Sequence, residues 1–223
     1  LNRDNLILTQ TPQAFKFQDL YNISIKQKNA VTDEASLFIE NNLKVKFIKG
    51  ENLNYKITFK DDLKLSKTYF GIGFDVHRLI KGKKLFLGGT KIPFHSGLKG
   101  HSDGDVIIHS VIDSILGAIR KKDIGTFFPD NQKKFKNIRS PKMLKPIIKI
   151  LNNKNLQINN LDINLICEQP KVSKYRDKIV KSLSSLLDID KELINLKGKT
   201  VEKLGLIGKE KAIACEVICS ISE

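Results

Sequence analysis

Tryptophan is absent from the 223 residues, methionine occurs once, and acidic residues are outnumbered by basic ones, 24 to 39. No apolar run is long enough to cross a bilayer, and no basic start followed by an apolar centre marks a secretory leader. The expectation is therefore a cytoplasmic chain with no membrane partner. Cys167, Cys215 and Cys219 have no metal-type pair spacing, and each lies in an apolar run, so buried free thiols are expected. The formal charge of +15 comes from lysines spread along the chain rather than gathered in a stripe. Such a surface favours anionic substrates and gives no reason to expect nucleic acid. Residue 1 is Leu and the single methionine is Met143, so residue 1 is not expected to be a translation start.

A hydrophobic content of 40% is enough for one good core or two modest ones. The informative stretch runs from residue 71 to 131 and holds all four histidines. Asp75 and His77 are two residues apart after Gly71-Ile72-Gly73-Phe74, which puts both side chains on one face of a strand. His109 sits in a segment whose apolar positions Ile108, Val111, Ile112, Ile115 and Ile119 recur with helical spacing. One carboxylate and two imidazoles suit zinc, and three protein ligands leave a position for water or a substrate oxygen, as catalytic sites do. Asp105 and Asp113 share the helix face of His109, so either is expected to accept the second ring proton of that ligand.

Around this stretch the chain reads as short elements. Residues 13–21 and 33–40 have helical spacing, and residues 43–48 and 55–59 alternate as strands. No glycine-rich phosphate loop stands near the start, and residues 61–67 read as a short helix at a junction. Residues 84–94 form a hairpin with Gly88-Gly89 at its turn, and residues 94–101 form a loop. Ser102 and the amides opening the next helix are an anion site or a plain cap. Residues 123–132 read as an irregular loop, and Ser140-Pro141 as the cap and first turn of a helix to about residue 152. Strands at 160–168, 194–200 and 212–221, with a helix at 174–187, predict helices packed on one face of a sheet.

Four ordered blocks carry a family resemblance: Gly73-Phe74-Asp75-Val76-His77, Gly97 to Val106 with its His101-Ser102-Asp103-Gly104-Asp105, Asp123-Ile124-Gly125 with Phe128-Pro129-Asp130, and Glu202-Lys203-Leu204-Gly205. Residues 68–223 resemble 2-C-methyl-D-erythritol 2,4-cyclodiphosphate synthase. Residues 1–67, through Thr11-Pro12-Gln13-Ala14-Phe15, Thr32-Asp33-Glu34-Ala35-Ser36 and Asn54-Tyr55-Lys56-Ile57-Thr58, resemble the C-terminal part of 2-C-methyl-D-erythritol 4-phosphate cytidylyltransferase. The resemblance implies a ferredoxin-like α/β subunit assembled as a homotrimer with sites at subunit boundaries. It also implies a fusion enzyme whose full-length parent carries both activities.

The resemblance further implies roles. Asp75, His77 and His109 would hold Zn²⁺ or another divalent ion, and Mg²⁺ or Mn²⁺ would arrive with the substrate diphosphate, helped by Glu202. His101 and Thr200 would stabilise the transition state. Ser102 would bind the 2-phosphate, Asp130 the methylerythritol hydroxyls, and Asp123 and Gly125 the sugar portion, with Ile124 and Phe128 also on the substrate. Cys167, Pro170, Lys171, Val172 and Ser173 would form the cytosine loop, with Lys199, Val201 and Leu206 also on the substrate. Lys209 stands where the family often has an arginine, at a central cavity of the trimer. Arg3 and Lys56 match basic residues that hold methylerythritol phosphate in the transferase.

The implied reaction has the 2-phosphate of 4-diphosphocytidyl-2-C-methyl-D-erythritol 2-phosphate attack its own β-phosphorus and expel CMP. It demands positioning and charge stabilisation rather than a dedicated base. The residues alone leave an alternative open, a zinc-dependent phosphohydrolase, because an open Asp/His/His site can equally activate water.

Overall fold

The computed structural model describes residues 9–27, 33–51, 54, 56, 67–129, 131–135 and 137–223. The chain divides into two compact units, Leu1–Leu65 and Ser66–Glu223. Among the described residues, no helix is long and apolar enough to cross a membrane.

In the first unit, α1 spans Phe17–Ser24 and α2 spans Glu34–Glu40. The first helix starts later than its spacing suggests: residues 13–16 take no regular structure, and Lys16, in extended backbone, directly precedes the first turn. The second starts where expected: Asp33 caps it, accepting a hydrogen bond from the Ala35 amide at 3.3 Å. Phe15 packs on Phe38 with ring centroids 4.5 Å apart. The strand expected at 43–48 is irregular instead. Leu43 and Val45 are half-buried between exposed lysines, so the alternation survives in burial but not as a strand. The strand expected at 55–59 apart from residue 56, the junction helix at 61–67 apart from residue 67, and Arg3 lie outside the described residues.

The second unit is a mixed sheet with helices on one face. Its strands are β1 (Thr68–Lys81), β4 (Ser96–Leu98), β5 (Gln157–Ile166), β6 (Ile194–Lys199) and β7 (Ala212–Ser222), in the order β4-β1-β7-β5-β6. Only the β5–β6 pair is parallel. Strand β1 runs well beyond His77, and β4 lies inside the segment expected to be a loop, paired with residues 79–81. The expected hairpin forms from β2 (Leu85–Leu87) and β3 (Thr90–Ile92). Its turn residues Gly88 and Gly89 have φ of 57° and 77°, a left-handed pair that only glycine adopts readily.

Helix α3 (Val106–Ala118) lies on β1 and β7 and is buried along nearly its whole length. It comes so close because β1 has glycine at the crossing. A Cβ on Gly71 would stand 1.9 Å from the Ser114 carbonyl oxygen, and one on Gly73 2.0 Å from that of Ser110. Small residues Ser110, Ser114 and Ala118 form the facing stripe, and Ser110 Oγ donates to the Cys215 carbonyl at 3.0 Å. Helices α5 (Ser140–Asn153) and α6 (Arg176–Leu187) complete the layer, burying Leu144, Ile147, Ile179 and Leu183. A four-residue helix α4 (Ile124–Phe127) replaces the irregular loop expected there, with Asp123 as its cap. The final short helix, α7, is Gly205–Gly208. All three cysteines are buried free thiols.

Asp105 is fully buried and is not a partner of His109. Its carboxylate caps α3 through the Ile108 amide at 3.2 Å and accepts the Gly88 and Gly89 amides at 2.8 and 2.6 Å. It pins the hairpin to the helix start. The expected role failed because the hairpin turn, remote in sequence, supplies better donors.

Since a methyl group at Gly73 would strike backbone rather than a mobile side chain, Gly73→Ala should destabilise the fold by about 1–3 kcal/mol or more, as overpacking does. Chemical denaturation measures it; an unchanged midpoint would mean that the helix does not rest on this glycine.

Candidate active site

The odd-numbered residues of β1 face the helix layer, so the face that carries Gly71 and Gly73 also carries Asp75 and His77. With Ser110 over Gly73, His109 falls beside them. Asp75 Oδ2 lies 2.9 Å from His77 Nε2 and 2.8 Å from His109 Nδ1, and the two imidazole nitrogens are 3.2 Å apart. Zinc held tetrahedrally at about 2.0–2.1 Å would set its donors about 3.3 Å apart, so a slight spreading of this triad admits the ion. Among the described residues, these three form the one group of His, Cys, Asp or Glu side chains that could hold a metal.

Burial works against the charge on Asp75, but hydrogen bonds from His109 and His77 and their positive charge outweigh it, and its pKa is held well below the usual carboxylate range. Burial also works against the charged form of His77, yet the hydrogen bond and charge of Asp75 raise its pKa. The Lys99 backbone beside the ring raises it further.

The triad forms part of the wall of a cavity of about 610 Å³. Of the residues singled out from sequence, Asp75, His77, His101, Ser102, His109, Ile124, Gly125 and Phe128 line it. Lys99 and Gly100, inside the Gly97 to Val106 block but without an assigned role, line it too, as do Phe135, Ile138 and Met143, which carried no local signal. Asp113 is at the cavity but does not touch His109: it accepts the Ile124 amide at 2.7 Å, tying α4 to α3, and burial raises its pKa. Asp123 turns to its own helix, accepting from the Thr126 amide and hydroxyl, both at 2.9 Å. Asp130 lies outside the described residues.

His109 Nε2 meets the hydroxyls of Ser102 and Ser140, each at 3.1 Å. Ser140 is therefore not the expected cap of α5. It is the first helical residue, buried, and its hydroxyl reaches Asp103, which also pairs with Arg139 at 2.7 Å.

The remaining candidates gather elsewhere. Strand register puts Asp75 beside Cys215, Cys215 beside Leu165 and Leu165 beside Gly198, so Asp75 and Gly198 share a rung at strands three apart. Three inter-strand steps are about 14 Å. Near Gly198, the Cys167 amide donates to the Lys199 carbonyl at 2.9 Å, and Val172 packs on Gly198. Glu168 accepts the Val201 and Lys203 amides, both at 3.1 Å, and these bonds lower its pKa. Thr200 donates to Glu202 at 2.9 Å, and burial pushes the Cys167 thiol up to about 11. Pro170 is buried, whereas Lys171, Ser173, Leu206 and Lys209 are exposed. Lys56, in the first unit, is exposed and lowers the pKa of Asp33 through its charge, behind larger hydrogen-bond contributions from Gln13 and others.

Residues 68–222 match the YgbB family, and residues 1–71 match 2-C-methyl-D-erythritol 4-phosphate cytidylyltransferase. The chain is 53% identical over 222 residues to a bifunctional enzyme IspD/IspF of Pelagibacter ubique, covering 99% of this chain and 60% of that protein. It thus spans about three fifths of the length of such curated relatives. It is 44% identical over 153 residues to the 2-C-methyl-D-erythritol 2,4-cyclodiphosphate synthase of Caldicellulosiruptor bescii, covering 69% of this chain and 98% of that one. A solved structure of IspF from Plasmodium falciparum in complex with CDP is 42% identical, covers 70% of this chain and 96% of its own, and superposes with a TM-score of 0.62.

Replacing His77 by Ala should abolish stoichiometric zinc binding in equilibrium dialysis while the circular dichroism spectrum stays native, because the ring is only partly buried. Full zinc retention in that variant would remove His77 from the ligand set.

Proposed function

The chain belongs to the YgbB family, and from that premise we propose that it converts 4-diphosphocytidyl-2-C-methyl-D-erythritol 2-phosphate to 2-C-methyl-D-erythritol 2,4-cyclodiphosphate and CMP. This is a metal-dependent phosphorus–oxygen lyase reaction of non-mevalonate isoprenoid biosynthesis. The observation that carries the reading is the convergence of Asp75 Oδ2, His77 Nε2 and His109 Nδ1 on a cavity that also presents Lys99, His101 and Ser102. Asp75, His77 and His109 would hold the ion, Zn²⁺ in this proposal, which when bound would supply Lewis acidity at the attacked phosphoryl group. Mg²⁺ or Mn²⁺ accompanies the substrate diphosphate, with Glu202 as a carboxylate partner.

The chain's own residues do the positioning. Lys99 brings positive charge and Ser102 a hydroxyl donor to the phosphate oxygens. His101 acts on the developing charge, and Thr200, which follows Lys199 at the far edge of the sheet, joins it from a neighbouring copy. Asp113 holds the start of α4, which fixes Ile124 and Gly125 at the cavity. Phe128, Phe135, Ile138 and Met143 make part of the cavity wall apolar. Such a wall disfavours water and so favours attack by the substrate's own phosphate over hydrolysis.

A single chain holds half of this site. The segment from Cys167 to Ser173, proposed to read cytosine, lies at the far edge of the sheet, so we propose a homotrimer of ferredoxin-like subunits in which a neighbour supplies it. The outer face of β1 supports assembly: Phe70, Ile72, Phe74 and Val76 are exposed there, with Ile218 beside them. Apolar surface of that extent normally marks an interface. The CDP complex of the Plasmodium falciparum protein supports a substrate linked through cytidine diphosphate. The match of residues 1–71 supports cytidylyltransferase activity in the full-length protein.

Phosphorus NMR on the chain with the cytidyl substrate, Zn²⁺ and Mg²⁺ should reveal CMP and a cyclic diphosphate. Release of inorganic phosphate would instead favour the phosphohydrolase. Trimers co-folded from His77→Ala and Lys171→Glu chains should regain a definite part of the activity that both parents lack, because a mixed boundary holds one intact site. Activity fixed at the sum of the parents, in trimers verified as mixed by mass spectrometry, would put each site within one subunit.

A further inference from the structure

The two ring nitrogens of His109 have opposite surroundings. Nδ1 faces Asp75 and His77, whereas Nε2 faces the hydroxyls of Ser140 and Ser102, each at 3.1 Å. A hydroxyl can donate or accept, so these contacts alone leave the proton of the neutral ring unassigned. Asp103 removes the ambiguity. Its carboxylate can only accept, and it takes the Ser140 hydroxyl proton, the Ser140 amide at 3.2 Å to each oxygen, and Arg139 Nε–H at 2.7 Å. Ser140 has one hydroxyl proton, which Asp103 holds, so its oxygen meets His109 as an acceptor.

We propose that Asp103 and Ser140 are positioning residues that keep the proton of His109 on Nε2 and thereby present the Nδ1 lone pair to the metal. The inference rests on the reading of Asp75, His77 and His109 as metal ligands. Burial supports it: Ser140 is fully enclosed and Asp103 nearly so, which leaves little water to compete for the relay. Arg139 balances the buried carboxylate while its guanidinium stacks on the Phe86 ring, 3.8 Å from the centroid. The second serine is left with a different task. Ser102 Oγ accepts the Gly104 amide at 3.1 Å, and with Ser140 receiving the imidazole proton, the Ser102 hydroxyl proton is free to point into the cavity that it lines. Ser140 thus works inward on the ligand and Ser102 outward on whatever anion enters.

Long-range ¹H–¹⁵N correlation spectra of the zinc-loaded wild-type chain test this without any substitution. His109 should be metallated on Nδ1 and carry an exchange-protected proton on Nε2; metallation through Nε2 would overturn the proposal. In competition with a chromophoric chelator, Ser140→Ala should bind zinc about 10–100-fold more weakly, and Ser140→Thr, which restores the hydroxyl, within about threefold of wild type. Asp103→Asn should weaken binding in the same direction, because its amide can donate to Ser140 and reverse the hydroxyl. Normal zinc affinity in folded Ser140→Ala protein overturns the relay alone. A wild-type chain that takes up no zinc overturns the metal reading and the relay together. Should Ser140→Ala fail to fold, the wild-type spectrum decides.

Discussion

Helix α3 meets strand β1 at backbone contact, and the geometry of the second unit depends on that contact. The crossing exists because Gly71 and Gly73 offer no side chain where Ser114 and Ser110 arrive. Any side chain there would hold the helix off by the width of a methyl group or more. Two further residues along the same strand face come Asp75 and His77, and one residue before Ser110 comes His109. The distance between the helix and the strand is therefore also the distance between His109 and the pair Asp75 and His77. Packing and chemistry are set by one spacing, which gives the triad little freedom to open or close independently of the core.

The same contact divides the surface of the second unit. Helices cover one face of the sheet and leave the other, with Phe70, Ile72, Phe74 and Val76, exposed. The triad sits toward one edge, while the segment from Cys167 to Ser173 and its partners near Lys199 and Lys203 sit at the other. In the proposed assembly a substrate that spans both groups meets them on two copies side by side, with the bare apolar face as the surface on which the copies pack. In that reading the catalytic unit is the boundary between chains, and the interior of each chain serves to hold two half-sites at fixed separation.

Much of this was legible in the sequence, for physical reasons. Two-residue alternation put Asp75 and His77 on one face, helical periodicity put His109 on a buried helix, and Gly88-Gly89 announced its turn. The ladder strands at 194–199 and 212–222 emerged close to their expected limits because apolar runs end there in charge or turn residues. What stayed hidden was tertiary. Asp105 was read as a partner for His109 because both lie on one helix face, yet its donors come from a turn 17 residues away. Ser140 looked like a cap because Ser-Pro usually is one, whereas Asp103, 37 residues earlier, claims its hydroxyl. Strand β4, three residues with a central glycine, has no period to detect. The strand expected at 43–48 had the alternation but did not form, since alternation describes burial and a strand also needs a ladder.

The α3–β1 crossing brings Asp75, His77 and His109 together, and in the proposed function these three form one metal site. Anomalous diffraction at the zinc edge from crystals of the zinc-loaded chain tests it most directly. One strong peak is expected within about 2.0–2.2 Å of Asp75 Oδ2, His77 Nε2 and His109 Nδ1 together. A peak held by only one of the histidines, or one located away from the crossing, would contradict it.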